Sequence, residues 1–352
     1  MKGENKVEKK GKYKGPKRFQ MQNGTKIIAD PAYRHEIKAI ITDFDGTFLD
    51  ESKEISQQNN RTFYFLANQK KKIVTGGATG RGFHQAVRFA NQAGLKYLIT
   101  DNGGAVFKRQ GAYYQLVYFK AMEKDLVAQL YSKIKEIKLA IPSAVYHLSS
   151  PENFIIGNEE GEESLRIAHK TFYRGEKEFG EGVIQIDELE GLSKLGLDER
   201  IIKICVDFGP NQKAVLAFEE YIKELNESMD EEDRINYFYT SPSKIEIAPS
   251  GVDKGEAILF VIRKETLEGN VIRPKNVLAY GDAGNDIPMT KKGFIVRIMS
   301  NTSLDMSVLH KSVRITKHSN SNDGVAHNVK KILEQRSKYR WGKFKIQHKE
   351  KR

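Results

Sequence analysis

Between residues 37 and 104, short apolar runs alternate with segments of helical periodicity, and few folds accommodate that order. Residues 37–49 read as a buried strand running into a loop, 54–70 as a helix, and KKIVTGG (71–77) as a second strand. GFHQAVRFANQAG (82–94) repeats apolar residues at helical spacing, and LKYLIT then reads as a third strand ending in the turn DNGG, 101–104. Strands joined by helices lie parallel, because the chain must cross back over the sheet before the next strand begins. The pattern loosens over residues 105–245. There, helices such as MEKDLVAQLYSKIKEI mix with strands such as IIKICVDF, and NEEGEESLR reads as a loop leading into a helix. It resumes from KIEIAP (244–249) through DKGEAILFVIRKE, NVLAYGD and GFIVRIM to a last helix, GVAHNVKKILEQ. The expected fold class is α/β: a parallel-sheet core built from residues 37–104 and 246–334, interrupted by an inserted α+β unit at 105–245.

Charge separates the ends from the body. The net charge is +12, yet residues 1–38 carry eleven Lys/Arg against four Asp/Glu, and residues 335–352 carry eight against one. Each end is therefore +7, which leaves −2 for the rest. Basic tails at 1–36 and 335–352 read either as solvated, disordered chain or as an electrostatic contact with RNA or an anionic surface. Tyr339, Trp341 and Phe344, set between the charges, add a little to the second reading at the C-terminal end without displacing the first. The single cysteine, Cys205, excludes an intramolecular disulfide and fits a reducing, cytoplasmic compartment. No apolar run approaches the roughly 20 residues of a membrane helix, and the N-terminus lacks the apolar stretch of a secretory signal.

Four polar stretches fall where open α/β sheets build their active sites, beyond the carboxyl ends of strands. They are DFDGT (43–47), TGGATGR (75–81), PSGVDKG (249–255) and GDAGND (281–286). Asp43 and Asp45 stand two apart, and like charges that close raise each other's pKa. With Asp282 and Asp286 at adjacent strand ends, the cluster carries more negative charge than can stay uncompensated. A hard divalent cation with oxygen ligands supplies the balance, and Mg²⁺ suits a site with few protein ligands plus waters. Lys254 adds a second positive charge. Gly46, Gly80 and Gly284 let backbone N–H groups approach an anion, and Thr47 or Thr79 can donate a hydroxyl. Together these parts call for a phosphate. A turn explains Asp-Gly-Thr alone, and helix entry explains Lys254 alone; neither explains all four stretches in this order.

In that order, DFDGTFLD, ATGR, SGVDKG and GDAGNDIPM resemble the four motifs of the haloacid dehalogenase-like phosphatases. NGG (102–104) and SNSNDGVA (319–326) narrow the resemblance to the Cof-like branch, whose cap is inserted between the second and third motifs. It runs from about Ile37 to Leu333 and implies a Rossmann-like core with the cap at 105–245. It also implies roles. Asp43 would be nucleophile and Mg²⁺ ligand, and Asp45 the general acid/base with its backbone carbonyl on the metal. Thr79, with Gly80, would hold a phosphoryl oxygen, and Lys254 would pair with nucleophile and phosphate. Asp282 would bind Mg²⁺, while Asn285 and Asp286 would complete or orient the metal shell. Thr75-Gly76 precedes Thr79-Gly80, so two threonines compete for the second motif, and Thr79 is preferred because Gly80-Arg81 follows. VRIMSNTS, with Arg297, departs from the family's small-residue run, and both basic tails lie outside its pattern.

The resemblance implies a Mg²⁺-dependent phosphatase. It would hydrolyse a small phosphorylated metabolite of the sugar phosphate, pyridoxal phosphate or flavin mononucleotide class through an aspartyl-phosphate. One rival is a phosphotransferase or phosphomutase on the same fold, which would keep Asp45 but pass the phosphoryl group to a sugar. The other is an RNA-associated binding protein using the basic tails; the full set of expected catalytic residue types argues against it. Cap residues should select the leaving group. Lys203, in RIIKICVDF, reads as a residue along a cap strand rather than a substrate contact.

Overall fold

A computed structural model of the chain describes residues 30–69, 73–157, 183–310 and 312–349, with two short paired strands at Phe19–Gln20 and Lys26–Ile27. The larger sheet begins with three parallel strands, β1 (Ala39–Thr42), β2 (Val74–Ala78) and β3 (Tyr97–Thr100). An antiparallel hairpin, β4 (Ala105–Gln110) and β5 (Tyr113–Phe119), extends one edge. The smaller sheet is formed by β6 (Val145–Ser149), β7 (Phe154–Gly157), β8 (Val183–Ile186), β9 (Lys203–Asp207), β10 (Ile235–Ser241) and β11 (Lys244–Pro249). Its spatial order is β8-β7-β6-β9-β11-β10. Parallel strands β12 (Val277–Gly281), β13 (Ile295–Ile298) and β14 (Arg314–Ile315) complete the larger sheet, whose order is β14-β13-β12-β1-β2-β3-β4-β5. The principal helices are α1 (Gln57–Asn68), α2 (Phe83–Gln92), α3 (Lys124–Ala140), α4 (Gln212–Glu227), α5 (Lys254–Leu267) and α6 (Gly324–Lys349).

The central strands carry no charged residue and are buried along their length because both faces of the larger sheet are covered. On one face, Ile40, Leu98 and Leu278 meet Phe63 of α1, Phe89 of α2 and Val325 and Val329 of α6. On the other, Ile41, Ile99 and Ala279 meet Ile258, Val261 and Ile262 of α5. Among the described residues, helices cover the smaller sheet on one face only. Leu148, Ile204, Ile245 and Ile247 pack on Leu130 of α3 and on Phe218 and Ile222 of α4. Among the described residues, no helix is long and apolar enough to cross a membrane.

Three placements differ from the sequence expectation. Residues 105–119, assigned there to the insert, pair with β3 in the larger sheet. A hairpin turning at Gly111 can add to any open edge, so local pattern alone does not choose its sheet. KIEIAP, assigned to the resumed core alternation, is β11 of the smaller sheet. Third, the chain is packed from Asp30 onward, within the expected basic tail at 1–36. Arg297, almost wholly buried, donates through Nη2 to both carboxylate oxygens of Asp30 at 2.6 and 2.7 Å. Asp30 Oδ1 accepts from Ala32 N–H at 3.0 Å, capping the short helix Pro31–Arg34. The arginine that departs from the family pattern thus fastens this segment to the sheet. At the other end, residues 335–349 continue helix α6, while the first eighteen residues lie outside the described ones.

Candidate active site

The chain moves outward from β1 through β2 and β3, then returns to the opposite side of β1 for β12 to β14. The connections following β1 and β12 therefore run to opposite sides, which makes the carboxyl edge between them the switch point where α/β sheets bind ligands. Asp43 directly follows β1, its N–H donating to Tyr280 O at 2.9 Å. Asp282 directly follows β12.

The first loop is anchored by its apolar residues. Phe44, Phe48 and Leu49 are fully buried, with Phe44 edge-on to Phe89 at 5.8 Å and Phe48 edge-on to Phe63 at 4.7 Å between ring centroids. Leu49 N–H donates to Phe44 O at 2.9 Å and closes the turn. Gly46 has φ +75°, and a Cβ there would lie 2.3 Å from Asp282 Oδ2. Glycine is what lets the two loops touch. Thr47 Oγ1 donates to Asp282 Oδ1 at 2.8 Å and ties them together.

Lys254 enters from beneath. Asp253 is the N-cap of α5, its carboxylate accepting from Glu256 N–H at 2.8 Å, which makes Lys254 the first helical residue. Lys254 is wholly buried, and its Nζ lies 2.7 Å from Asp43 Oδ1 and 2.8 Å from Asp286 Oδ1. Asp286 Oδ2 accepts the N–H groups of Asp282 and Ala283 at 2.8 and 3.0 Å, fixing the turn after β12. One carboxylate oxygen from each of Asp43, Asp282 and Asp286 lies within 4.8 Å of the others.

Three carboxylates thus share one ammonium. Burial, with the charges of Asp286 and Asp282, pushes the Asp43 carboxyl well above the usual range, against the pull of Lys254. Burial likewise carries Asp282 up to about 6, although the Thr47 hydroxyl works against it. Burial disfavours the charged form of Lys254, but Asp286 and Asp43 outweigh that and hold its pKa above the ordinary value. A group of hard oxygen donors that takes up protons for want of positive charge fits a divalent cation. Asp43 and Asp282 offer it the more open oxygens, since Asp286 already accepts hydrogen bonds on both of its own.

The remaining expected residues line the same crevice. Thr79 and Gly80 lie just past β2 on its wall, whereas Thr75 sits within β2 opposite Ile40, at the far end of the strand. Asn285 also faces the crevice and donates through Nδ2 to Asn102 Oδ1 at 3.0 Å. Asp45 lines it too, but its carboxylate is turned to two cations. Arg81 grips it through Nε and Nη2 at 2.7 and 2.8 Å, and Lys53 Nζ lies 3.1 Å away. Burial acts to raise Asp45, yet the Arg81 hydrogen bonds and charge, aided by Lys53, hold it well below the usual carboxylate range.

Sequence reasoning missed the roof. The face of the smaller sheet opposite its helices carries His147, Ser149, Lys203, Cys205, Lys244 and Glu246, and it closes a crevice of about 530 Å³ over the loops. Lys203 is a strand residue as expected, but it also reaches the core, where its Nζ lies 2.7 Å from Asp101 Oδ1. The imidazole of His147 stacks on Phe154 at 4.2 Å, and burial, with Lys203 and Lys244 nearby, depresses its pKa well below the ordinary value. The signal was in the alternation: V-Y-H-L-S, K-I-C-V-D and K-I-E-I each place polar groups at every second position. On a sheet covered on one face, that pattern marks the other face.

A family model described as haloacid dehalogenase-like hydrolase matches residues 40–329. The chain is 22% identical over 298 residues to 5-amino-6-(5-phospho-D-ribitylamino)uracil phosphatase YcsE of Bacillus subtilis, spanning 84% of this chain and 95% of that protein. Among solved structures, a haloacid dehalogenase-like hydrolase from Bacteroides thetaiotaomicron has a TM-score of 0.65 at 21% identity, covering 84% of this chain and all of that one. A HAD/COF-like hydrolase from Plasmodium vivax has a TM-score of 0.64 at 19% identity, covering 85% and 96%. With the four motif stretches gathered at one switch-point crevice and the family model spanning most of its length, the chain belongs to the haloacid dehalogenase-like hydrolases, in their Cof-like branch.

Proposed function

We propose that this protein is a metal-dependent phosphatase that hydrolyses a small phosphomonoester, with Asp43 as nucleophile. The observation that carries this reading is the placement of Asp43 at the switch point, gripped by Lys254 and grouped with Asp282 and Asp286. Asp43, Asp282 and the Asp45 carbonyl, with Asp286 and Asn285 in support, would hold Mg²⁺, which would supply the positive charge that lets a carboxylate and a phosphate approach. Lys254 holds the Asp43 carboxylate through Oδ1 and so orients it for attack. Thr79 and the Gly80 N–H hold phosphoryl oxygens. Attack joins Asp43 to phosphorus and expels the leaving oxygen, which takes a proton from Asp45. Asp45 then removes a proton from water, which cleaves the aspartyl-phosphate and regenerates Asp43. To serve as acid, Asp45 must leave Arg81 and carry a proton; in the grip of Arg81 and Lys53 it is an anion.

The smaller sheet with α3 and α4, residues 120–249, acts as the cap that selects the leaving group. A crevice of about 530 Å³ suits a small phosphorylated metabolite, and the relative YcsE is named for a phosphorylated ribityl compound. The sugar phosphate, pyridoxal phosphate and flavin mononucleotide classes fall in that range. The lone, buried Cys205 accords with a cytoplasmic protein. The test is phosphate release from a panel of phosphomonoesters, with Mg²⁺ or EDTA, and with or without acceptor sugars. Mg²⁺-dependent release of free phosphate is expected; transfer to the sugar in place of release contradicts hydrolysis.

Metal binding should carry a pH signature. Folding raises Asp282 to about 6, above the ordinary carboxylate value, and raises Asp43 in the same direction. A carboxyl raised by folding contributes stability that is complete below its unfolded pKa and lost as pH rises through its folded one. The metal-free protein should therefore lose thermal stability from about pH 4 through about pH 6 and beyond. Mg²⁺ should raise the unfolding midpoint more at about pH 7.5 than at about pH 5, because proton and cation compete for the same oxygens. Scanning fluorimetry with Mg²⁺ or EDTA measures both; a Mg²⁺ shift independent of pH contradicts this cluster as the metal site.

A further inference from the structure

The turn at Asp101–Gly103 touches three of the four loops of the site. Asp101 N–H donates to Arg81 O at 3.0 Å and Asn102 N–H to Thr79 O at 2.9 Å, while Thr79 N–H donates to Ile99 O at 2.9 Å. The turn is therefore stitched along the Thr79–Arg81 loop. Asn102 Oδ1 accepts from Asn285 in the loop after β12. Gly103 has φ +109°, and a Cβ there would lie 2.4 Å from Asp253 O, so the turn also rests on the residue that caps the Lys254 helix. Asp101 and Asn102 are held at φ +50° and +56°. Asp and Asn are the non-glycine residues that take this conformation most readily.

Two residues of the roof hold the turn. Glu246 Oε2 accepts from Asn102 Nδ2 at 3.2 Å. Lys203 lies 2.7 Å from Asp101 Oδ1 and also donates to Gly80 O at 3.0 Å. Lys203 and Asp101 are both almost wholly buried. Charge compensation alone would need only the carboxylate. The second bond, to the carbonyl of Gly80 in the crevice wall, spans both sides of the stitch.

We propose that Lys203 is a positioning residue for phosphate binding: through the Asp101–Gly103 turn it transmits the placement of the smaller sheet to the Thr79–Gly80 loop. This rests on the phosphatase reading. Lys203 does not touch the phosphate; it holds the loop that does. A shift of about 1 Å in such a loop can cost about 10²-fold in rate.

The test uses the full chain with Mg²⁺ and two probes that do not depend on the natural substrate: inorganic phosphate, measured by calorimetry, and acetyl phosphate, too small to reach across the crevice. Lys203→Met is expected to weaken phosphate binding about tenfold or more and to lower kcat for acetyl phosphate about 10²-fold. Asp101→Asn should show the same losses, and the double variant should be no worse than the worse single one. Three results overturn the proposal. The first is a Lys203→Met protein with a lower unfolding midpoint but unchanged phosphate affinity and kcat, which makes the bridge structural only. The second is a raised KM for bulky esters with unchanged phosphate affinity, which makes Lys203 a leaving-group contact. The third, decisive if Lys203→Met does not fold, is an Asp101→Asn protein with wild-type phosphate affinity. A wild-type protein that binds phosphate but turns over no phosphomonoester contradicts the phosphatase reading instead.

Discussion

Asp43→Asn is expected to lower phosphomonoester turnover by about 10⁴-fold or more, the scale on which loss of a covalent nucleophile is felt. The amide is nearly isosteric and its oxygen can still accept from Lys254, so the loop has little reason to move. What disappears is a nucleophilic oxygen and one charge of the metal cluster. The same change should leave the metal-free fold as stable as before, or more so at neutral pH, because burial already works against the Asp43 charge. Steady-state kinetics and a thermal midpoint in EDTA check both parts. Near-normal turnover in Asp43→Asn would mean that the carboxylates serve only the metal.

Lys254→Met should damage both fold and activity. Lys254 is the buried ammonium between Asp43 and Asp286, at 2.7 and 2.8 Å. Removing one partner of a buried charge cluster typically costs about 3–5 kcal/mol, a large share of the roughly 5–15 kcal/mol that holds a folded protein together. Turnover should fall about 10²–10³-fold, as when a donor that stabilises transferring charge is lost. The double variant Lys254→Met/Asp286→Asn separates the two effects. It relieves the uncompensated charge, so the midpoint should largely recover while turnover does not. A Lys254→Met protein with unchanged midpoint and turnover contradicts the role given to this lysine.

The central sheet and its site were legible because their signals are local. AIIT and VLAYG are apolar but for Thr42 and wholly buried, as strands covered on both faces must be, and each runs directly into an aspartate. Asp253 followed by Lys254 reads as a helix entry and is one. The assignment of KIEIAP to the core failed although its signal was present: Lys244 and Glu246 alternate with Ile245 and Ile247, the mark of a strand covered on one face. Other features had no local signal. Arg297 meets Asp30 across 267 residues, and nothing near either predicts the pairing. That Asp45 faces Arg81 depends on where the loop after β2 arrives, which the pair of motifs does not state. The reach of Lys203 to Asp101 depends on how the second sheet sits over the first.

The most direct measurement is acid-quenched mass spectrometry of the Asp45→Asn protein turning over an aryl phosphate with Mg²⁺. A good leaving group needs little protonation, so the first step can proceed without the Asp45 acid. The second step lacks its base and should stall. A phosphoryl group accumulating on Asp43, and absent from Asp43→Asn treated in the same way, is the expected result. A phosphoryl group on another residue, or sustained turnover by Asp45→Asn without any adduct, would contradict the covalent mechanism and the nucleophile assigned here.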